Sequence, residues 1–339
     1  MNRSQLLRSA AALGAAPLAL PALAARASAA PRAAVPVTTQ LMWIENVEYA
    51  GYWIADANGW FAAEGVAPAF LPGGPNLASV EAIVAAGRAD VGVDELEKIV
   101  DAVSRGADLV VAGAIYQRAI AGLLSLPKNP VRKAADLVGK RIGFAPRDKE
   151  YIDGIFALNH LEPRYVEVPV GFDPAPLVEG ACDAYLCYMT AQPLVLAQKK
   201  IPYVLVSFAD LGYASYAGAI FCTRGFASTR RAALTGYLRA LGRGWLENAR
   251  DPRPGAELAV RRYGASLGLD LDQQIAQNRA QIPLTESPLT RRFGPLWISA
   301  DEVEHRVYRT LRALGRTNLP EPSRLLELGP LREANAKRR

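Results

Sequence analysis

The sequence predicts an α/β protein made of two Rossmann-like lobes that are joined by a two-strand hinge. The main observation is an internal repeat, in which residues 82–95 and 176–188 follow nearly the same pattern. The aligned pairs, each 93 residues apart, are Gly87 with Gly180, Asp90 with Asp183, and Asp94 with Cys187. A helical run and then a β-rich run follow each copy, although any two βα units share part of this pattern. The repeat therefore favours two similar lobes with a cleft between them.

Length and composition agree with two folded lobes. The chain has 339 residues, of which 50% are hydrophobic and 21% are charged. A chain of this size can bury two separate cores. The apolar content is too high, and the charge too evenly mixed, for an intrinsically disordered protein.

Residues 1–29 have the features of a signal peptide. Arg3 and Arg8 form a positive start, residues 10–23 are apolar and uncharged, and Ala27-Ser28-Ala29 is a small-x-small cleavage site. Residues 22–24 offer a competing site. The apolar run is shorter than the about 20 residues that span a bilayer. We therefore expect cleavage after Ala29 and export to the periplasm, with a retained anchor as the alternative.

The charge balance argues against a nucleic-acid partner. Loss of residues 1–29 would remove three arginines and no acidic residue, which changes the formal net charge from +6 to +3. A small, scattered positive charge does not form the basic surface that nucleic-acid binding requires. We expect no nucleic-acid partner and a monomer.

No motif for a metal, a cofactor or a catalytic nucleophile stands out. His160 and His305 are isolated, and there is no Cys-x-x-Cys pair, phosphate loop or dinucleotide-binding fingerprint. Cys182 and Cys187 lie too far apart along one strand for a disulfide, at about 16 Å against a limit of about 7 Å. A bridge between Cys187 and Cys222 on neighbouring strands stays open, with small core side chains as the alternative. We predict no cofactor, no metal and no enzymatic activity.

The first lobe begins with a strand, a helix and a second strand. These elements are predicted at residues 39–44, 47–64 and 67–71, with Gly65 as the residue that ends the helix. The helix has an apolar face at Ala50, Trp53, Ile54, Ala57 and Phe61. Strand ends next to helix starts are favourable places for a polar ligand group.

The second lobe opens near Pro127 and the chain then returns to the first lobe. Residues 136–144 predict a short helix, a turn and a strand, with further strands at 166–170, 184–188, 203–207 and 217–223. Ser228 is predicted to cap a helix with an apolar stripe, and residues 299–302 form a predicted capping box for another helix, which Gly315 ends. We expect the first lobe at 36–122 plus 223–335 and the second at 125–215.

Five segments resemble one known family. Residues 43–54 (WIENVEYAGYWI), 58–66 (NGWFAAEGV), 71–75 (LPGGP), 87–93 (GRADVGV) and 136–143 (DLVGKRIG) are similar to periplasmic solute-binding proteins of ABC importers. The similarity is to the branch that holds alkanesulfonate-, nitrate- and thiamine-pyrimidine-precursor-binding proteins. It covers residues 40–223 well and the helical tail loosely. The resemblance implies the type II periplasmic binding protein fold, a small-molecule solute and an ABC permease as partner.

The resemblance places candidate ligand-binding residues where strands end at the cleft. On the first lobe they are Trp43, Glu45, Asn46, Glu48, Tyr49, Asp94, Glu95, Tyr116 and Gln117. Aromatic faces stack on a flat heteroaromatic ring, and carboxylates accept hydrogen bonds from its edge. For Trp43 the alternative is a core aromatic, and for Asp94 and Glu95 it is helix capping.

On the second lobe the candidate residues are Arg147, Asp148, Glu150, Phe172, Asp173, Tyr188, Thr190 and Gln192, and Tyr216 precedes the return crossing. Arg147 either meets an acidic group of the ligand or pairs with Asp148 or Glu150. Tyr216, with Tyr213, either shields an aromatic ligand or packs against the hinge.

The predicted function is capture of a small, heteroaromatic, pyrimidine-like solute for an ABC importer. Two acids at positions 94 and 95 weigh against the sulfonate, taurine or nitrate alternative. A pyrimidine-precursor synthase is a second alternative, but relatives of that kind carry a Cys-rich motif that this sequence lacks. A solute-sensing module for a membrane kinase would have the same fold.

Overall fold

The computed structural model describes residues 33–336, and the predicted signal peptide lies outside them. The described part contains two five-stranded mixed sheets. The strands of the first sheet are β1 (Val35–Gln40), β2 (Val66–Leu71), β3 (Val91–Asp94), β4 (Leu109–Tyr116) and β10 (Ala217–Thr223). The strands of the second sheet are β5 (Ala121–Ser125), β6 (Arg141–Phe144), β7 (Val166–Pro169), β8 (Ala184–Tyr188) and β9 (Val204–Ser207). Two sheets with flanking helices confirm the α/β class.

Helices connect and cover the strands. The α-helices before β10 are α1 (Ala50–Ala57), α2 (Trp60–Ala63), α3 (Val80–Ala85), α4 (Leu96–Ser104), α5 (Lys149–Leu158), α6 (Ala175–Val178) and α7 (Gln192–Gln198). Those after it are α8 (Arg224–Thr229), α9 (Arg231–Arg250), α10 (Arg253–Leu258), α11 (Leu271–Gln281), α12 (Pro288–Phe293), α13 (Ala300–Glu302), α14 (Tyr308–Ala313), α15 (Pro322–Leu325) and α16 (Gly329–Ala336). Short 3₁₀ helices cover Val47–Tyr49, Ala134–Leu137, Pro146–Asp148, Ala265–Leu267 and Ile282–Thr285, and π-helical turns cover Ala259–Tyr263 and Val303–Val307.

The two sheets have the same topology. Their strand orders are β2-β1-β3-β10-β4 and β7-β6-β8-β5-β9. In each sheet the first three strands are parallel and the fourth runs antiparallel to both of its neighbours. The fourth strand stands next to a crossing: β5 follows the first crossing and β10 follows the second. The chain therefore passes between the sheets twice, as a two-strand hinge requires.

The sequence repeat corresponds to a structural repeat. Gly87 and Gly180 have φ values of 70° and 78°, a left-handed conformation that glycine adopts without steric cost. Asp90 accepts the backbone N–H of Thr38 at 2.8 Å, and Asp183 accepts that of Arg141 at 2.9 Å. Each aspartate thus ties the turn before one parallel strand, β3 or β8, to its parallel neighbour, β1 or β6.

Alternating side chains divide each sheet between two cores. On β5, Leu123 packs with the residues of α5, whereas Leu124 packs on the other face with Cys182, Tyr185 and Cys187. All three cysteines are buried and unpaired among the described residues. Cys187 and Cys222 belong to different sheets, so they are not on neighbouring strands.

The helical tail covers the first sheet. The predicted stripe of Leu234, Leu238, Leu241 and Trp245 is buried on α9, which packs against α1 and α16. The strands of the first sheet fall within residues 35–116 and 217–223, and those of the second within 121–207. The division of the lobes at 36–122 plus 223–335 and 125–215 stays a prediction.

Several element boundaries differ from those predicted. The first strand covers Val35–Gln40, because β1 pairs with β2 from Val35 onwards and the chain leaves the sheet before Trp43. The predicted helix at 47–64 is broken, since Gly59 takes a left-handed conformation with φ of 67°. The two helices that it separates still bury Ala50, Trp53, Ile54 and Phe61, whereas Ala57 is exposed.

Two predicted caps are wrong. Ser228 lies inside α8 and donates to the carbonyl of Gly225, whereas Thr223 caps that helix. Ser299 does precede α13, but its side chain makes no cap hydrogen bond. Glu302 is held away from that cap because its carboxylate binds the hydroxyl of Tyr216 and the guanidinium of Arg306.

Candidate ligand-binding site

A cavity of about 550 Å³ lies between the two lobes. It faces the carboxyl ends of β1 and β3, the edge at which open α/β sheets bind ligands. Residues of the first lobe that line it include Trp43, Glu81, Asp94, Glu95, Glu97 and Lys98. Those of the second lobe include Arg147, Asp148, Glu150, Tyr151, Leu186 and Tyr188. Its volume falls in the range of about 300–1,000 Å³ that is usual for small-molecule sites.

Asp94 and Lys98 form an ion pair in the cavity wall. Asp94 is the last residue of β3 and is 3% exposed. Its Oδ1 accepts from Lys98 Nζ at 2.8 Å and from the backbone N–H of Glu95 at 2.8 Å. Burial lowers the pKa of Lys98, but the charge and hydrogen bond of Asp94 raise it more. Lys98 is therefore paired with Asp94, and among the described residues it forms no ion pair with the other acidic side chains of the cavity.

Glu95 and Glu48 are carboxylates without a protein partner within residues 33–336. Glu95 lines the cavity, and Glu48 interacts electrostatically with Asp94. Burial, followed by the charges of Glu97 and Asp94, raises the pKa of Glu95 well above its usual range. Burial and the charge of Asp94 raise the pKa of Glu48 to about 7. Both groups are poised to accept hydrogen bonds or positive charge.

Glu81 is a cavity residue that sequence reasoning missed. It lies in the first turn of α3, two residues after the N-cap Ser79, and it is only 6% exposed. Its Oε2 accepts from the hydroxyl of Ser79, whereas its buried Oε1 has no partner among the described residues. Burial, followed by the charge of Asp94, raises the pKa of Glu81. Acidic residues are common in the first turn of a helix because they interact favourably with the helix dipole. The sequence position of Glu81 therefore gave no indication of ligand binding.

Three aromatic rings stack in a row beside the cavity. Trp43 of the first lobe and Phe172 of the second have ring centroids 6.4 Å apart and planes within 17° of parallel. Phe172 also stacks on Tyr188, at 6.0 Å and 29°. Trp43 and Tyr188 line the cavity itself, and Trp43 packs on the core of the first lobe as well. The structure thus gives Trp43 both of the roles that the sequence left open.

Arg147 and Asp148 both line the cavity and lie beside each other. Arg147 Nε is 3.7 Å from Asp148 Oδ1, and the arginine side chain is 64% exposed. Glu150 pairs instead with Arg316 of the helical tail, at 2.9 Å. Burial is the main cause that raises the pKa of Asp148.

Other predicted residues lie outside the cavity and shape its walls. Tyr49 is buried among Tyr52 and Trp53, and its hydroxyl accepts the backbone N–H of Trp43 at 3.0 Å. Its ring is therefore enclosed by the core and is not presented to the cavity. Asn46 accepts the N–H of Glu48 at 2.9 Å and so fixes the start of the same loop.

Tyr116 and Gln117 tie the end of β4 to the helical tail. The Tyr116 hydroxyl donates to Gln281 Oε1 at 2.8 Å and lies 3.2 Å from the carbonyl oxygen of Glu48. Gln117 Nε2 donates to the carbonyl of Trp297 at 3.0 Å, and its Oε1 accepts from Ser287. These contacts hold the first crossing between the lobes.

Gln192, Tyr216 and Glu45 also lie outside the cavity. Gln192 Oε1 accepts the backbone N–H of Tyr188 at 2.9 Å, which fixes the end of β8. The Tyr216 hydroxyl binds the carboxylate of Glu302, so this tyrosine packs at the second crossing. Burial raises the pKa of the partly buried Glu45. Of the predicted set, the structure brings Trp43, Asp94, Glu95, Arg147, Asp148 and Tyr188 together around the cavity.

Two kinds of feature are absent from residues 33–336. No group of three or more His, Cys, Asp and Glu side chains has the arrangement of a metal site in this range. No helix within it combines the length and apolar composition needed to cross a bilayer.

The two-lobed architecture is that of type II periplasmic binding proteins. The periplasmic aliphatic sulphonate-binding protein SsuA of Escherichia coli superposes with a TM-score of 0.64, covering 86% of this chain and 92% of that one at 15% identity. Residues 46–254 match the family described as NMT1/THI5 like. The chain belongs to this family.

Two curated relatives have different names. The riboflavin-binding protein RibY of Chloroflexus aurantiacus is 24% identical over 312 residues, which cover 88% of each chain. The 4-amino-5-hydroxymethyl-2-methylpyrimidine phosphate synthase of Legionella pneumophila is 24% identical over 229 residues, 66% of this chain and 72% of the relative. Proteins similar to this chain thus include one named for binding and one named for synthesis.

Proposed function

We propose that this protein is an exported solute-binding protein that captures a flat, nitrogen-containing, neutral or cationic solute, such as a thiamine-precursor pyrimidine, for an ABC importer. The observation that carries the proposal is the pairing of the Trp43 face with the unpartnered Glu95 carboxylate in one interlobe cavity. A partly buried carboxylate without a partner costs free energy when it is ionised. A solute that brings N–H donors or a positive charge would relieve that cost.

The charge of the cavity weighs against a sulfonate, taurine or nitrate ligand. Seven carboxylates line it, against the basic side chains of Lys98, Arg105 and Arg147. Lys98 is engaged by Asp94, and Arg147 lies beside Asp148. An anion would have to displace one of these acids or face several at close range, which costs free energy.

The Legionella relative keeps a synthase as the second candidate function. The family resemblance implies that synthases of this kind use one of their own histidines in the reaction. His160 and His305 are both exposed, and neither lines the cavity. This placement favours binding over synthesis. Accumulation of a pyrimidine product during incubation of the purified protein with a pyridoxal cofactor would support the synthase instead.

The proposed partners and location follow from the same class of protein. The protein would act in the periplasm as a monomer, after cleavage behind Ala29, and would deliver its solute to an ABC permease. A sensing role beside a membrane kinase needs the same fold. Loss of solute uptake on deletion of the gene supports transport, whereas unchanged uptake with a lost transcriptional response supports sensing.

A thermal-shift panel tests the proposed ligand class. Ligand that binds only the folded state stabilises it by about 2.7 kcal/mol at a hundredfold excess over the dissociation constant. We expect aminopyrimidines, thiamine or flavins to raise the melting temperature, and taurine, alkanesulfonates and nitrate to leave it unchanged. The reverse pattern would contradict the proposal.

Two variants test whether the ligand binds at Asp94 and Trp43. Asp94→Ala and Trp43→Ala are expected to abolish the ligand-induced shift, and the exposed Glu179→Ala serves as the control. A shift that survives both substitutions would assign Asp94 to capping and Trp43 to core packing.

A further inference from the structure

Phe172 is a large apolar side chain that is exposed at the rim of the cavity. It is 55% exposed, and it lies in the segment between β7 and α6 of the second lobe. Single exposed apolar residues are common and carry no meaning by themselves. Phe172 differs because its ring stacks on cavity residues of both lobes, Trp43 and Tyr188.

The backbone that carries Phe172 is fixed on both sides of the ring. The Tyr185 hydroxyl donates to the carbonyl of Gly171 at 2.7 Å, and Gln192 Nε2 donates to the carbonyl of Phe172 at 3.2 Å. Asp173 accepts the N–H of Ala175 at 2.9 Å. The ring is therefore presented on an ordered segment, so little conformational entropy is lost when it closes on a ligand.

One side chain positions two of the three rings. The amide of Gln192 accepts the backbone N–H of Tyr188 at 2.9 Å while it donates to Phe172. Tyr188 and Phe172 are thus held to each other through a single buried glutamine, which is 3% exposed. The second lobe presents these two rings as one unit, and the first lobe presents Trp43.

Trp43 and Phe172 present nearly parallel faces to each other from opposite lobes. A flat ring between two aromatic faces makes two contacts of about 3.5 Å, which separates the faces by about 7 Å. The two centroids are 6.4 Å apart and the planes are within 17° of parallel. The two rings must therefore move apart to admit a ligand ring between them, and a movement of one lobe relative to the other would allow this.

We propose that Phe172 is a specificity-determining residue that closes over a planar aromatic ring stacked on Trp43. This inference rests on the proposed function and narrows it, because it requires the solute to have a conjugated ring with two free faces. The carboxylates of the cavity would then accept hydrogen bonds from the edge of that ring. Gln192 acts as a positioning residue for the clamp.

The test uses variants of the full-length mature protein and three ring compounds as probes. Titration calorimetry would measure the dissociation constants of riboflavin, thiamine and 4-amino-5-hydroxymethyl-2-methylpyrimidine. Phe172→Leu keeps an apolar side chain without a ring, Phe172→Tyr keeps the ring, and Val178→Ala changes another exposed apolar residue of the same lobe. Because Phe172 is exposed, its variants are expected to keep the unliganded melting temperature.

We expect Phe172→Leu to weaken the best-binding ring compound about tenfold, as loss of one stacking partner predicts. Phe172→Tyr and Val178→Ala should stay within about threefold of the unsubstituted protein. Ring binding that is equally tight in Phe172→Leu would overturn the clamp and leave the proposed function standing. A protein that binds taurine or nitrate, or none of the three ring compounds, would overturn the proposed function and the clamp together.

Discussion

Lys98 Nζ lies 2.8 Å from Asp94 Oδ1, and Lys98 is the only lysine among the described residues that line the cavity. The pair is asymmetric, since the lysine side chain is 50% exposed and the aspartate side chain only 4%. Lys98 therefore reduces the negative charge of the cavity without filling it. A ligand with its own positive charge competes with Lys98 for the same carboxylates.

The first prediction concerns this lysine. Lys98→Met removes a cation from the cavity and should tighten the binding of a cationic ring compound such as thiamine about fivefold, which corresponds to about 1 kcal/mol. Lys149→Met is the matched control, because Lys149 also pairs with an aspartate four residues on but lies outside the cavity. Titration calorimetry measures both. Loss of binding in Lys98→Met alone would mean that Lys98 holds an anionic group of the ligand.

The second prediction concerns the pH dependence of stability. The pKa of Glu48 is about 7 in the folded protein, above its usual value of 4.5, so the folded state holds this proton more tightly than the unfolded state. Stability is then lost as the pH rises from about 4.5 through 7, by up to about 3 kcal/mol. Glu48→Gln should therefore be more stable than the unsubstituted protein at pH 8 and equal to it at pH 4.5.

Urea unfolding at both pH values measures this difference. Other buried acids, such as Glu95 and Glu97, titrate in both proteins, so the comparison isolates Glu48 and its coupling to Asp94. The exposed Glu179→Gln should show no such dependence. A Glu48→Gln variant that is less stable at pH 8 would show that the ionised carboxylate has a stabilising partner.

The third prediction concerns a contact between the lobes. Arg316 Nη2 lies 3.1 Å from Asp101 Oδ2 on α4 and 2.9 Å from Glu150 Oε2 on α5. Arg316→Met removes this link and should favour the open arrangement, which raises the dissociation constant severalfold because the closed state is less populated. Small-angle X-ray scattering of the unliganded protein should show a larger radius of gyration.

Arg312→Met is the control, since Arg312 pairs with Glu304 within the helical tail. The account of Arg316 as a link between lobes is wrong if the two variants give the same scattering and the same affinity.

The fourth prediction concerns the crossing of α1 and α9. A Cβ at Gly244 would lie 1.9 Å from the carbonyl oxygen of Gly51, which leaves no room for a methyl group. Gly244→Ala should lower the free energy of unfolding by about 1–3 kcal/mol or more. Gly225→Ala, where a Cβ meets only Thr223 Oγ1 at 3.9 Å, should be neutral or slightly stabilising. Equal stability of the two variants in urea would contradict this close helix packing.

The sequence was a good guide to the sheets because their signals are local. The sequence repeat contains the glycines of two left-handed turns, Gly87 and Gly180, and the aspartate that follows each of them. The same turn and the same hydrogen bond therefore occur in both lobes. The predicted cap at Ser228 was wrong because that serine lies inside α8 and donates to the carbonyl of Gly225. The predicted capping box at residues 299–302 was wrong because Glu302 has a distant partner. Glu302 binds Tyr216, 86 residues away, and no local pattern contains that information.

The cavity was less accessible to sequence reasoning. Residues at strand ends, such as Trp43 and Asp94, were found because topology brings strand ends together. Glu81 was missed as a ligand-binding candidate, since its position depends on how a helix start packs around the cleft. Tyr49 was placed in the site by its neighbourhood, but its ring is enclosed by the core aromatics Tyr52 and Trp53.

The central claim is that the interlobe cavity holds a flat solute that donates hydrogen bonds or carries positive charge. Native mass spectrometry of protein purified from the periplasm, followed by identification of any released small molecule, tests it most directly. We predict a bound compound with a nitrogen-containing aromatic ring, which is absent from the Trp43→Ala and Asp94→Ala variants. Release of an alkanesulfonate, taurine or nitrate from the unsubstituted protein would contradict the claim.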